Sequence, residues 1–269
     1  METSDFYGTE KVSRILLKIA PPVMLAQLIQ ALYNIVDSFF VGKYSETGLT
    51  ALSIIYPVQL LMIALGVGTG VGINTDMAYY LGIGKKKKAE EVAGTGTPLG
   101  LILWIIFAAV CYVTLPAYAG MSTDSPEVIR DVVAYGRIVC LFSIGLFTEG
   151  IWSKILQAEG DMRTPMIAQI AGAVVNIILD PLLIFGMLGM PEMGISGAAV
   201  ATVSGQIVAA LIVMKKAWYR SPRRSCYPGH IKRIYQLGIP NIIMQSAYTL
   251  YILGLNLILA GFSDQAVTA

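Results

Sequence analysis

Aspartate is rare inside long apolar segments, yet Asp37 and Asp180 stand in such segments here. Asp37 lies in Gln30-Ala-Leu-Tyr33-Asn34-Ile-Val-Asp37-Ser38-Phe, and Asp180 follows Asn176 by four residues. Residues four apart share one face of a helix, so the Asn176 amide and the Asp180 carboxylate stack. Pro181 comes next and disfavours helical geometry at Asp180, which would bend the helix and free a backbone carbonyl. Carboxylate, amide and carbonyl oxygens are hard ligands for a small cation; the same groups hold a proton where burial favours the neutral acid. An ionised carboxylate near the centre of a bilayer helix costs about 2.5–3.5 kcal/mol on insertion scales, which makes an intramembrane acid a functional candidate. The plainer alternatives are an interfacial Asp37 that meets water, and a packing kink that carries a satisfied Asn176–Asp180 pair.

Lesser candidates surround these. Thr202, in the small-residue run Gly197-Ala-Ala-Val-Ala-Thr202, offers a hydroxyl ligand or simply bonds its own helix. Glu149 is a further carboxylate, either functional or a surface partner of Lys154. Pro21 and Pro22 open the first apolar segment and mark a helix start or a built-in kink. Gly66, Gly68, Gly70 and Gly72 miss the G-x-G-x-x-G spacing and follow no strand, so they read as close helix packing and no nucleotide is placed there. Cys111, Cys140 and Cys226 have neither disulfide nor metal spacing, and His230 falls in a basic, solvated stretch. No catalytic constellation emerges; an enzyme is not expected, nor is a cofactor or a metal beyond a possible Na⁺.

The elements that must position these residues are set by composition. Of 269 residues 55% are hydrophobic and 13% charged, against roughly 25% charged in an ordinary soluble domain. Stretches free of Asp, Glu, Lys and Arg run over 47–75, 92–123, 193–214 and 234–263, each long enough to cross a bilayer as a helix. Three more segments carry isolated polar residues. The expected fold is therefore an all-α polytopic membrane protein with seven transmembrane helices. Its parts are a tail at 1–14, a six-helix lobe at 15–215 (spans about 15–41, 49–78, 97–119, 132–156, 165–188 and 194–214), a basic linker at 216–237, and a last helix at 238–269. The first block is longer than a signal-peptide core and lacks a cleavage site, so it reads as a retained span. A net charge of +2 suggests no nucleic-acid partner.

With the N-terminus inside, sixteen of the nineteen Lys and Arg residues, among them Lys85 to Lys88, face the cytoplasm, and only Lys43, Arg130 and Arg137 face outward. That bias sets orientation. Sliding the sequence on itself also aligns Lys18–Ala51 with Gln236–Ala269 without a gap, matching Pro22 to Pro240, Gln27 to Gln245 and Tyr33 to Tyr251. Parallel copies separated by six helices imply two transporter halves related about the membrane normal. The chain reads as six helices plus the first of a second half.

Three motifs now carry a resemblance: Pro22…Gln30-x-x-Tyr33-x-x-x-Asp37-x-x-x-x-Gly42, Leu156-Gln-Ala-Glu-Gly160-Asp-Met-Arg163-Thr-Pro165-Met, and Asn176-x-x-x-Asp180-Pro181. In this order they resemble the multidrug and toxic compound extrusion (MATE) family, closest to its DinF-like and MepA-like members. The resemblance implies twelve helices in two six-helix lobes, in the cytoplasmic membrane of a prokaryote, expelling organic cations in exchange for H⁺ or Na⁺. It implies a cation site at Asp37, Asn176, Asp180 and Thr202, polar neighbours at Gln30, Tyr33 and Tyr135, and a bending first-helix proline at Pro22. Ser153 joins that supporting polar network, standing where relatives often carry Asn, so the network is not copied in full. The second lobe would be a missing partner within the same full-length chain.

Two other readings compete. A lipid-linked saccharide flippase would need a more cationic cavity than these acidic spans provide. A seven-helix sensor would place its N-terminus outside. An epitope at Met1 should accordingly stay unlabelled in intact cells and become labelled once they are permeabilised; labelling of intact cells would reverse the orientation.

Overall fold

A computed structural model describes residues 11–260, and every regular element among them is helical. The α-helices are α1 (Val12–Tyr44), α2 (Glu46–Gly82), α3 (Lys86–Ser122), α4 (Pro126–Leu141), α5 (Ile144–Ala158), α6 (Arg163–Ile184), α7 (Ile195–Ala217) and α8 (Tyr227–Ala260). Short 3₁₀ turns at Met187–Gly189 and Arg224–Cys226 join the later ones. An all-helical answer follows from the composition, because lipid offers no partners to backbone N–H and C=O groups and a helix satisfies them internally.

The first three helices have 33, 37 and 37 residues, or about 50–56 Å at 1.5 Å per residue, more than the ~30 Å of a hydrocarbon core. The excess at the α2–α3 turn carries Lys85 to Lys88 beyond the apolar zone. By length and apolarity α1, α2, α3, α6 and α7 can each cross a membrane. The bent pair α4–α5 makes a sixth span if it is taken as one. The expected seventh span, 238–269, falls in α8 up to Ala260; its remainder lies outside the described residues.

The sequence predicts one continuous span at 132–156, and the structure breaks it by 46° between α4 and α5. The Ser143 hydroxyl donates to the Cys140 carbonyl at 2.7 Å, and the Trp104 indole donates to the Leu141 carbonyl at 3.0 Å. These side chains take the carbonyls released at the break, and apolar periodicity carries no record of such donors. At Pro181 the outcome is the opposite: α6 continues through it to Ile184.

Small residues bring the helices together. Steps of two along a helix turn about 200°, so the four glycines of α2 alternate between opposite faces. Gly66 and Gly70 meet α5 at Phe147, Gly150 and Lys154, while Gly68 and Gly72 meet α8 at Ile242 and Ile234. Between α6 and α7, a Cβ on Gly172 would lie 2.7 Å from the Gly205 carbonyl oxygen, and one on Gly205 would lie 2.5 Å from the Gly172 oxygen. Only glycine permits that contact.

The apolar core has two parts. One gathers Val41, Ile54, Phe107, Tyr135, Phe147 and Ile184; the other, nearer the lysine-rich end, gathers Ile73, Val92, Ile151, Trp152, Val213 and Ile234. Leu17, Leu28 and Phe39 of α1 and Ile105, Ile106 and Val113 of α3 face outward, an arrangement suited to lipid rather than water. At the lysine-rich end the buried Asp76 of α2 pairs with Arg233 of α8, whose guanidinium lies 4.8 Å from the Tyr79 ring centroid.

Asp161 secures the start of α6. It accepts from the Thr164 backbone N–H at 3.0 Å, from the Thr164 hydroxyl at 2.6 Å and from the Lys216 ammonium at 3.0 Å. Partial burial pushes its pKa up, but the Thr164 and Lys216 contacts outweigh that and hold the carboxyl below its ordinary value. A depressed folded-state pKa contributes stability that is present above the unfolded value and is lost as pH falls through the folded one.

Two outcomes are expected of thermal unfolding in detergent. Asp161→Ala should cost on the order of 1 kcal/mol near neutrality, and the gap to the parent should narrow as pH falls from about 4 through the depressed folded-state pKa; a gap that does not change with pH would contradict the assignment. Gly205→Ala should cost about 1–3 kcal/mol through forced separation of α6 and α7.

Candidate functional site

The first helix is poorly covered: its buried residues are Ala26, Asp37 and Val41. That an aspartate is one of three is the most informative fact about α1. Gln30, Tyr33 and Asp37 recur at three- and four-residue steps and so occupy one helical face. The Gln30 amide donates to the Tyr33 hydroxyl at 3.2 Å. Opposite them α6 presents Asn176 and Asp180, and α7 presents Thr202; all three are buried. The Asn176 amide nitrogen reaches Asp180 Oδ1 at 3.4 Å and Thr202 Oγ1 at 3.5 Å. The Gly172–Gly205 contact sets this geometry, since it lets α7 lie close enough for Asn176 Cβ to sit 3.4 Å from where a Cβ on Gly205 would be.

Two further helices close the cluster. Tyr135 of α4 is buried, receives the Gln59 amide of α2 at 3.2 Å, and lies close to the Thr202 hydroxyl. The Asp37 and Asp180 carboxylates lie near enough to repel one another, and the Tyr33 hydroxyl feels both. Asp37 Oδ1, Asn176 Oδ1 and Asp180 Oδ2 are buried without a hydrogen-bond partner. Leaving a buried acceptor unpaired costs about 1–3 kcal/mol, more where it is charged. Two carboxylates in such surroundings resist double ionisation, and a proton or small cation shared between them relieves both the repulsion and the missing bonds.

The donor set is made of oxygens: two carboxylates, an amide and a hydroxyl. That suits H⁺ or a hard cation better than a softer metal. Among the described residues no three His, Cys, Asp or Glu side chains come together.

A cavity of about 660 Å³ opens beside the cluster. Pro22, Gln30, Tyr33, Asp37, Tyr135, Glu149, Ser153, Asn176 and Thr202 line it, while Asp180 and Pro181 stand behind the wall. The structure thus gathers Asp37, Asn176, Asp180, Thr202, Tyr33 and Tyr135. It does not bring Ser153 into that group, because the Ser153 hydroxyl donates to Glu149 Oε1 at 2.6 Å on α5. Pro22 lies within the regular span of α1 rather than at its start.

Sequence reasoning missed Gln59, which holds Tyr135, and the cavity-facing Gln169 and Gln206. A signal was present. An amide inside an apolar span is costly for the same reason as an acid, though less so.

Comparison with known proteins bears on the family and the fold. The MatE family model matches residues 22–182, more than half of the chain. A probable multidrug resistance protein NorM from Thermotoga maritima is 28% identical over 243 residues, covering 87% of this chain and 52% of that protein. An FAD transporter from Shewanella oneidensis is 28% identical over 201 residues, covering 74% and 44%. The structure of a multidrug resistance MATE family transporter of the MOP superfamily, in its outward-facing conformation, superposes with a TM-score of 0.82 at 25% identity, covering 93% of this chain and 56% of that one. The chain spans about half the length of the relatives it matches. On the family match over 22–182, together with a fold shared across most of its length, this chain belongs to the MatE family.

Proposed function

We propose that the chain forms the first lobe, and the opening helix of the second, of a secondary transporter that exports organic cations across a prokaryotic cytoplasmic membrane in exchange for H⁺ or Na⁺. The observation that carries this reading is the set of three buried, unpartnered oxygens, Asp37 Oδ1, Asn176 Oδ1 and Asp180 Oδ2, drawn from α1 and α6 at the edge of a cavity. Seven spans, a cytoplasmic N-terminus, a second lobe in the full-length protein and membership of the DinF-like and MepA-like branch belong to the same proposal. They are supported by the internal repeat, the Lys and Arg bias and the three motifs.

The coupling works through helix α1. With the site empty, the Asp37 and Asp180 charges oppose each other across the α1–α6 contact. A proton or Na⁺ entering from outside and shared between the two carboxylates cancels one charge, relieves their repulsion and draws α1 toward α6. Pro22 supplies no backbone N–H and so leaves α1 a weak point at which to bend. The bend changes the cavity that Pro22, Gln30 and Tyr33 line, and a bound organic cation is released. Each net charge moved inward per cycle contributes about 2.3 kcal/mol per 100 mV of membrane potential.

Charge favours cations as cargo. The cavity wall carries Asp37 and Glu149 against Lys154 as its single basic residue among those described. That balance weighs against a pyrophosphate-linked saccharide, and against an anionic flavin nucleotide like the one the Shewanella relative is described as transporting.

The proposal is tested in inverted vesicles holding the full-length protein. Asp37→Asn and Asp180→Asn should each reduce ion-driven ethidium uptake to background, and Thr202→Ala should weaken the response to the coupling ion roughly two- to tenfold. Undiminished transport by both carboxylate variants would sink the reading.

A further inference from the structure

Below the cation site the cavity has a second polar level that the coupling mechanism does not use. Gln169 precedes Asn176 by seven residues on α6, about 10 Å along the axis, and Gln206 follows Thr202 by four on α7, about 6 Å. The two helices run antiparallel, so both steps lead toward the lysine-rich end. Gly145 of α5 abuts the Gln206 backbone, where an added Cβ would fall 2.8 Å away, and Glu149 lies one turn further along α5. All three side chains line the cavity.

The acceptors at this level are fixed and underused. The Glu149 carboxylate is held by the Ser153 hydroxyl at 2.6 Å and lies close to the Gln169 side chain. Gln169 Oε1 is buried and without a donor; Gln206 Oε1 is likewise buried and unpartnered. Lys154 does not fill the gap. Its ammonium donates to Gln157 at 3.0 Å and offers Glu149 only a longer-range attraction. One carboxylate with two neutral carbonyl oxygens is complementary to a positive group bearing several N–H donors, such as an amidinium, guanidinium or primary ammonium.

We propose that Glu149, Gln169 and Gln206 form a substrate-head subsite that binds an N–H-donating organic cation, separate from the coupling-ion site at Asp37, Asn176 and Asp180. This inference rests on the exporter reading and assigns its substrate contact. Separate stations let the ion and the substrate act on each other through α1 and α6 rather than by direct competition for one carboxylate. Glu149 supplies the charge term; the two glutamines supply selection for N–H geometry, since a cation without donors leaves both oxygens unpaired.

The experiment uses the full-length protein in nanodiscs and two probes, the diamidine 4′,6-diamidino-2-phenylindole and tetraphenylphosphonium, which has charge but no N–H. Glu149→Gln should weaken diamidine binding about tenfold or more and weaken tetraphenylphosphonium as well, whereas Glu149→Asp should retain most of the affinity. The double variant Gln169→Leu with Gln206→Leu should weaken the diamidine several-fold and change tetraphenylphosphonium by less than about twofold. In each variant, release of bound probe on adding Na⁺ or acid should persist, which also reports a folded ion site. Diamidine affinity in Glu149→Gln within about twofold of the parent would overturn the subsite and leave the exporter reading standing. A parent that binds neither probe would overturn the organic-cation reading, and the subsite with it.

Discussion

The site depends on a contact that involves no side chain. Where Gly172 of α6 meets Gly205 of α7, each backbone carbonyl occupies the space a Cβ on the other residue would need. Lipid tails are as apolar as leucine, so burial of greasy surface does little to drive helices together inside a membrane, and close backbone packing takes over that task. One turn from Gly172 stands Asn176, and three residues before Gly205 stands Thr202; their hydrogen bond spans the same interface. A methyl group at either glycine would part the helices and open the polar cluster at its narrowest place.

Around that contact the protein keeps acids where they are expensive. Asp37 is one of three buried residues on a helix otherwise turned outward, and Asp180 is wholly enclosed. Among the described residues neither has a basic side chain against it, in contrast to Asp76, which pairs with Arg233 at the α2–α8 interface. The comparison separates two uses of a buried carboxylate. Asp76 is compensated permanently and ties two helices together. Asp37 and Asp180 are left for a mobile partner, which is what a proposed coupling site requires, because a permanent counter-ion would remove its reason to bind and release one.

Much of the site was legible beforehand. The Asn176–Asp180 pair, the isolation of Asp37 in an apolar run and the small-residue setting of Thr202 each announce themselves in one dimension, since the energetic penalty for a polar group in lipid makes every exception conspicuous. Family likeness puts Ser153 in the supporting polar network, and its hydroxyl bonds Glu149. The break between α4 and α5 was invisible because the groups that stabilise it, Ser143 and the distant Trp104 indole, are ordinary residues until the chain brings them together. The glutamines of the second level were passed over because a single amide, unlike an acid, carries no charge to mark it.

By itself the sequence determined the solvent of the fold, its helical class and the identity of the costly residues, because these follow from local composition and from the rule that backbone polar groups must be satisfied within each span. Tertiary structure decided which costly residues share a site. Asp37 and Asp180 are 143 positions apart in the chain, and nothing local states that α1 lies against α6 with the aspartate inward. It also decided that Glu149 faces the cavity beside Gln169 while Asp180 stands behind its wall. Rotation about a helix axis settles such matters, and that rotation is set by long-range packing of small residues, which hydropathy does not record.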